Sequence, residues 1–428
     1  WESSSIEGSY HKDNQNMKTL IYITLSFLVV LNPPNLIASD PSGNRRAIRF
    51  STGYNPVNSA RPSASSTPTI KDSEQSVKKA LNWLVSEQNS EGYWEGTQSK
   101  VAHTGLTVLC FLSYGVLPSD NTEWGRSLSK GLEWISKQSS ENGDFRDGDK
   151  MYGQAIAVLT LAEAYILTKD KALAAPLEPA VRFIEKAQNP KSGGWRHQPY
   201  PSLQHKGDLS VTGWVIMALH SAKKAGIQVA PSCLEKANSF VDSLSTGKEG
   251  GLYGYTSNFP TASMTSVGMF CRQVSEKNSE DTQSESARYL GTHLPSLDQK
   301  LRGSGKYHYW FYGTYALYTF GGEDWKSWNN RIVPILIDKQ ESDGSWAPEG
   351  PRARHEGRVV TTAWATLSLS VYYRCLPMLQ TTSKKPKPRF NPTIIYRPIR
   401  PTGPASTSKH IPFRPSTQRH TGIRGGRP

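Results

Sequence analysis

A unit of about fifty residues recurs six times along this chain, and the recurrence limits the fold more than any other feature. Its clearest copy starts at Asp72, which with Gln75 suits a helix N-cap box. Val77, Ala80, Leu81, Leu84 and Val85 then fall on one helix face. Gln88 ends that helix, Gly92 turns the chain and Trp94 follows. A second helix, Thr104 to Tyr114, is apolar nearly all round, the pattern of a helix buried on every side. Amphipathic outer helices are predicted near 73–88, 124–138, 177–188, 233–245, 284–294 and 328–340. Apolar inner helices are predicted to start at Thr104, Tyr152, Thr212, Thr265, Tyr312 and Thr362, at intervals of 48, 60, 53, 47 and 50 residues. No strand-like alternation competes. The economical packing is all-α, an (α/α)6 toroid of about six helix pairs with the apolar helices inside. An open superhelical solenoid is the other solution, but its concave face calls for more charge than these inner helices carry.

The rest of the chain divides around this domain, expected to span 73–378. Only 36% of residues are apolar, so part of the chain is expected to stay unpacked. Met17-Lys18, the apolar run Leu20 to Leu31, Pro33-Pro34 and Leu36-Ile37-Ala38 together read as a secretory signal over 17–38. An uncleaved anchor is the alternative. Residues 1–16 are expected to be an upstream extension foreign to the natural chain, with Met17 its start. Residues 39–72 read as a flexible linker. The formal charge of +14 resides mostly in the Pro-rich tail, 379–428, which from Ser383 onward has eleven Lys and Arg and no acid. Such a tail is expected to be disordered and suits an anionic envelope polymer. The domain is nearly neutral, so no specific nucleic-acid partner is expected. Cys110, Cys233, Cys271 and Cys375 form no CxxC pair and allow one disulfide, its pairing open.

The turn between helices carries a resemblance. Lys79-Ala80-x-x-Trp83-Leu84-x-x-x-Gln88-x-x-x-Gly92-x-Trp94 resembles the QW repeat of squalene-hopene and oxidosqualene cyclases. Gln340-x-x-x-Gly344-x-Trp346 repeats its second half, and Gln188 with Gly194-Trp195 does so after a one-residue insertion. Around Gln138, Gly143 and Phe145 the copy is degraded, and the fifth copy lacks the Gly-x-Trp turn. The chain thus looks like an exported relative of the terpenoid-cyclase and protein-prenyltransferase toroids, with prenyltransferase and squalene-oxidase repeats. Gln88, Trp94, Gln188, Trp195, Gln340 and Trp346 are read as structural. The Gln amide can satisfy backbone groups left open at a helix end, and the Trp covers the link.

Chemistry must come from the ring's cavity. The cyclases resemble one another in an Asp-x-Asp-Asp-Thr segment whose central Asp protonates the substrate. Here Asp208-Leu209-Ser210-Val211-Thr212 keeps only the first Asp and the Thr. Ser210 and Val211 are not strong acids. The same segment resembles the Asp-x-Cys zinc stretch of protein prenyltransferases, with Ser210 in place of the thiolate. His308 resembles that family's ligand histidine but lies a repeat too far on, and His103 is a similar candidate. No metal is therefore expected. No phosphate loop or nucleotide fingerprint appears, so no cofactor is expected either.

Asp208 is the catalytic candidate. It also stands where it could cap Val211 or Thr212. Cavity-lining candidates are His103, Trp214, His308, Trp310, Tyr312 and Trp364, and their aromatic rings suit a carbocation, a sugar face or plain core packing. His197, Tyr200 and His205 lie on the long loop before Asp208. Whether the chain is an enzyme stays open. The reading is a toroid that binds a small apolar molecule or a protein partner. One alternative is an isoprenoid-active enzyme. The other is a saccharide-active toroid, with Glu163 and Asp208 as the pair of carboxylates.

Overall fold

The computed structural model describes residues 70–96, 99–146, 150–200, 206–299, 301, 305–373 and 375–379. The expected extension, signal segment and basic tail, the linker up to residue 69, and His205 lie outside the described residues.

Six helix pairs follow one another. The first is α1 (Ile70–Ser86) and α2 (Lys100–Tyr114), the second α3 (Glu123–Ser136) and α4 (Met151–Thr168). A short α5 (Lys171–Ala174) leads to the third, α6 (Leu177–Lys186) and α7 (Leu209–Lys224). The fourth is α8 (Pro231–Ser243) and α9 (Ala262–Val274), the fifth α10 (Glu280–Gly291) and α11 (Lys306–Phe320). The sixth is α12 (Gly322–Asp338) and α14 (Arg358–Ser370), with a short α13 (Gly350–Glu356) between them. Besides α5, two small elements were not anticipated from the repeat. One is α13; the other is a hairpin of β1 (Ser245–Thr246) and β2 (Leu252–Tyr253) in the fourth turn.

The inner helices α2, α4, α7, α9, α11 and α14 pack in that order, and α14 returns to α2. The outer layer meets at the same seam, with α12 against α1. The arrangement is a ring, as the all-round apolar character of the inner helices demands. In α2 every residue from Val101 to Tyr114 is buried. Helix α4 is long and apolar enough to cross a membrane by composition, but it is a core helix of the ring, largely enclosed by α2 and α7.

Three glutamines of the turn motif, Gln88, Gln188 and Gln340, tie their own repeat to the next. Gln88 Nε2 donates to Gly92 O at 2.7 Å and to Ser127 O of α3 at 2.9 Å. Gln188 does the same to Gly193 and to Cys233 of α8, and Gln340 to Gly344 and to Ser76 of α1. The Trp closes the turn on its own repeat. Trp94, Trp195 and Trp346 donate their indole N–H back to Leu84, Ile184 and Leu336, and their backbone N–H to Thr104, Thr212 and Thr362. The turn glycine is held by sterics. At Gly92 φ is +103°, and a Cβ would stand 2.8 Å from Lys130 O of α3. At Gly344, with φ +95°, it would stand 2.5 Å from Lys79 O of α1. In the third copy this glycine is Gly193, so the extra residue falls between Gln188 and the turn.

Two copies build the same tie from other residues. In the second, Gln138 bonds only its own helix, at Trp134 O. Gln154 of α4 takes over: its Nε2 donates to Gly143 O and to Ala180 O of α6, and its Oε1 accepts from Phe145 N. Gln154, and not Tyr152, is therefore the counterpart of Thr104. In the fourth copy the tie runs backwards from α10. Glu285 accepts from the backbone of Lys248, Glu249 and Gly251, and Ser286 donates to Gly251 O.

The chain beyond α14 forms a strap of two 3-10 turns, Val371–Tyr373 and Pro377–Leu379. It crosses the C-terminal side of the inner ring, touching α2, α4, α7, α11 and α14. Glu163 anchors it. This fully buried carboxylate accepts from Ser221 Oγ at 2.7 Å and from Met378 N at 3.0 Å. Lys224 Nζ donates to Pro377 O at 2.6 Å. Burial pushes the Glu163 carboxyl up to about 7, against the opposing pull of its two donors and of Lys224. All four cysteines are free thiols, and burial pushes those of Cys233 and Cys271 up to about 12.

Candidate functional site

The inner helices all point their N-terminal turns toward one cavity of about 390 Å³. Its wall takes Ala102, His103 and Leu106 from α2, Tyr152 and Ile156 from α4, and Ser210 and Trp214 from α7. Met264 of α9, His308 of α11, and Val360 and Trp364 of α14 complete it. Helical side chains lean toward the N-terminus, so a residue two turns into each helix still reaches the mouth. Trp364 accordingly meets His308 edge-on at 5.7 Å and Trp214 at 5.6 Å. The rim adds Lys150, His197, Tyr255 and Glu356.

Of the lining candidates, His103, Trp214, His308 and Trp364 stand in the cavity wall. Trp310 and Tyr312 are not among the lining. Trp310 lies two residues past His308, about 200° around the helix, so it faces outward. It packs on Tyr307 and donates to Gln299 Oε1. Tyr312 lies one turn below His308, fully buried against Trp214, His308 and Phe270, beneath the cavity floor.

Asp208 is the N-cap of α7. Its Oδ1 accepts from Val211 N at 2.9 Å and from Ser210 Oγ at 2.7 Å. Ser210 Oγ in turn lies 2.5 Å from Tyr152 Oη. Asp208 is fully buried, and its Oδ2 has no hydrogen-bond partner among the described residues. The carboxylate reaches the cavity through Ser210 and Tyr255 and is not itself part of the wall. Burial first, then the charge of Asp208, pushes the Tyr255 phenol up.

The expected pairing of Asp208 with Glu163 does not occur. Both inner helices run the same way, and Glu163 lies near the far end of α4, bonded to Ser221 near the far end of α7. A helical rise over twelve residues separates the two levels by about 18 Å. Among the described residues no three His, Cys, Asp or Glu stand together as a metal site requires. Lys150, Tyr152, Tyr255 and Glu356 were missed as lining residues. Lys150 and Tyr152 lie at an inner-helix start, a signal the repeat itself carries. Tyr255 and Glu356 lie on irregular segments that no period marks.

The closed order of inner helices decides the fold. The chain is an α/α-toroid. Solved structures agree. The type II terpene cyclase MstE from Scytonema matches with a TM-score of 0.51 at 15% identity, over 72% of this chain and 100% of that one. The α-1,6-mannanase GH76A of Salegentibacter sp. HEL1_6 matches with a TM-score of 0.52 at 8% identity, over 70% of this chain and 98% of that one. At these identities the likeness is one of fold. No family model matches the toroid chain, and no curated protein matches it by sequence.

Proposed function

We propose that this toroid is an exported binding protein whose ring cavity takes a small, largely apolar molecule. A terpene cyclase and a mannanase share the fold, so the fold does not choose between apolar and saccharide ligands. The cavity wall favours the apolar ligand. The observation that carries the reading is the continuous apolar face of Leu106, Ile156, Trp214, Met264, Val360 and Trp364 within a space of about 390 Å³. That size and lining suit a small-molecule site. A saccharide site needs two carboxylates facing each other across it. Here Asp208 stands behind Ser210, and Glu163 belongs to the strap. A cyclase-type proton donor is poorly supplied as well, because Asp208 caps a helix and Ser210 and Val211 stand where further carboxylates would be needed. Export rests on the signal pattern at 17–38.

Trp214 and Trp364 line the cavity, so tryptophan fluorescence reports occupancy. Farnesol is expected to quench it saturably, and mannotriose to leave it unchanged. Trp214→Ala is expected to weaken farnesol binding at least tenfold. Saturable binding of mannotriose without binding of farnesol overturns the reading.

A further inference from the structure

The wall is apolar in depth, but its mouth is rich in donors. Among the described residues the basic side chains of the lining are Lys150, His103, His197 and His308, against Glu356 as the one carboxylate. The six inner-helix N-termini converge here, each presenting the positive end of its dipole. Ser99, Asp208 and Thr261 answer three of them by capping α2, α7 and α9. The other three, α4, α11 and α14, begin at Lys150, Gly305 and Gly357 and have no side-chain cap. Lys150 and Gly305 lie in the cavity wall. A basic N-cap residue opposes the helix dipole, so its position at the start of α4 is not a device of helix stability.

A second observation is independent of the helix ends. Trp364 is 5% exposed and lines the cavity, and its indole Nε1–H has no acceptor among the described residues. An indole nitrogen only donates. A buried donor left open costs free energy unless something accepts from it. The ring lies against His308, at the level of the mouth.

We propose that the ligand is an apolar monocarboxylate, held with its hydrocarbon body among Leu106, Ile156, Trp214 and Val360 and its carboxylate at the mouth, beside Lys150, the three histidines and the Trp364 N–H. This rests on the apolar-ligand reading above and adds the head group. Among the described residues a single lysine and no arginine line the site, which fits one negative charge and not a diphosphate, whose several charges call for a cluster of cations.

The test is a matched series on the full chain, read by tryptophan quenching: farnesoic acid, farnesol, farnesylamine and farnesyl diphosphate. Farnesoic acid is expected to bind at least tenfold tighter than farnesol, with the amine weakest. Lys150→Met is expected to remove most of that advantage, as a loss several-fold larger for the acid than for the alcohol. Trp364→Phe keeps the ring contacts and is expected to weaken the acid several-fold more than the alcohol, with Trp214 still reporting. Farnesol or farnesylamine binding as tightly as the acid overturns the head-group assignment and leaves the apolar reading standing. Tighter binding of the diphosphate overturns the single-charge assignment in the same way. An advantage of the acid that survives in both variants removes these residues from the head-group site. No binding by any of the four overturns the apolar reading itself, and the head group with it.

Discussion

Gln340 Nε2 donates to Ser76 O at 2.8 Å, joining residues 264 positions apart in the chain. This is the tie that Gln88 and Gln188 also make from their repeats to the next, and here the next repeat is the first. The same nitrogen holds Gly344 O, and Trp346 is fully buried beside it. Trp94→Ala and Trp346→Ala are each expected to cost about 3–5 kcal/mol, the range for a buried aromatic emptied to a cavity. Equilibrium denaturation measures this, and an unchanged midpoint for Trp346→Ala would show that the closing seam contributes nothing.

The second repeat gives an inverted mutational ranking. Gln138 occupies the motif position but bonds only within its own helix, and Gln154 makes the three bonds that matter. Gln154→Leu is expected to cost at least about 2 kcal/mol, since it strips partners from buried backbone groups. Gln138→Leu, on the partly exposed side, is expected to cost under about 1 kcal/mol. The reverse order in a denaturant titration would restore the motif reading.

Two buried groups shape the pH dependence in opposite senses. Burial raises Glu163 from 4.5 to about 7, so its stabilising share is complete below pH 4.5 and is lost as pH rises to about 7. Burial lowers His220 from 6.5 to about 4, so its share is complete above pH 6.5 and is lost as pH falls toward 4. Across the overlap, pH 4.5 to 6.5, the two slopes offset each other. Glu163→Gln is expected to lose stability on acidification, and His220→Leu to lose it on alkalinisation, each by up to about 3 kcal/mol relative to a flatter parent. Parallel profiles for the parent and both variants would rule this out.

The strap sets where the chain can be cut. Truncation after Leu379 leaves Met378 N on Glu163 and is expected to preserve the melting temperature. Truncation after Ser370 strips the cover from Glu163 and is expected to lower it by several degrees. The basic tail beyond is proposed to hold an anionic polymer. Dextran sulfate retention at low salt should therefore fall with the first truncation, and equal retention would remove that role.

Asp208 separates capping from chemistry. Asp208→Ala is expected to cost about 0.5–2 kcal/mol as a lost cap, and Asp208→Asn to restore most of it. Equal losses in thermal melts of both variants would show that the negative charge, and not the cap, carries the stability.

The ring was legible because burial writes itself into periodicity. The outer helices are apolar on one stripe, the inner ones all round, and the alternation every fifty residues leaves few ways to pack. The same all-round apolar character hid the site. In α11, nothing in the run Tyr309 to Tyr312 tells which residue faces the axis, because every position is buried by something. Trp310 thus read as lining, although it faces Gln299. Phase within such a helix is set by its neighbours across the ring. Gln154 was hidden for a related reason: the tie is defined by which carbonyls are reached, and an amide from either helix of the pair can reach them.

The buried aromatics Phe311, Tyr312 and Tyr315 give the vessel a floor, and the strap seals the ring behind them. Leu376, Met378 and Leu379 are buried across the side opposite the mouth. A polymer strand could thread a ring open at both ends and slide through it. In a cul-de-sac a guest must leave by the door it came in, so its size is capped by the depth of the chamber, and only a free molecule or a chain end can be a tenant.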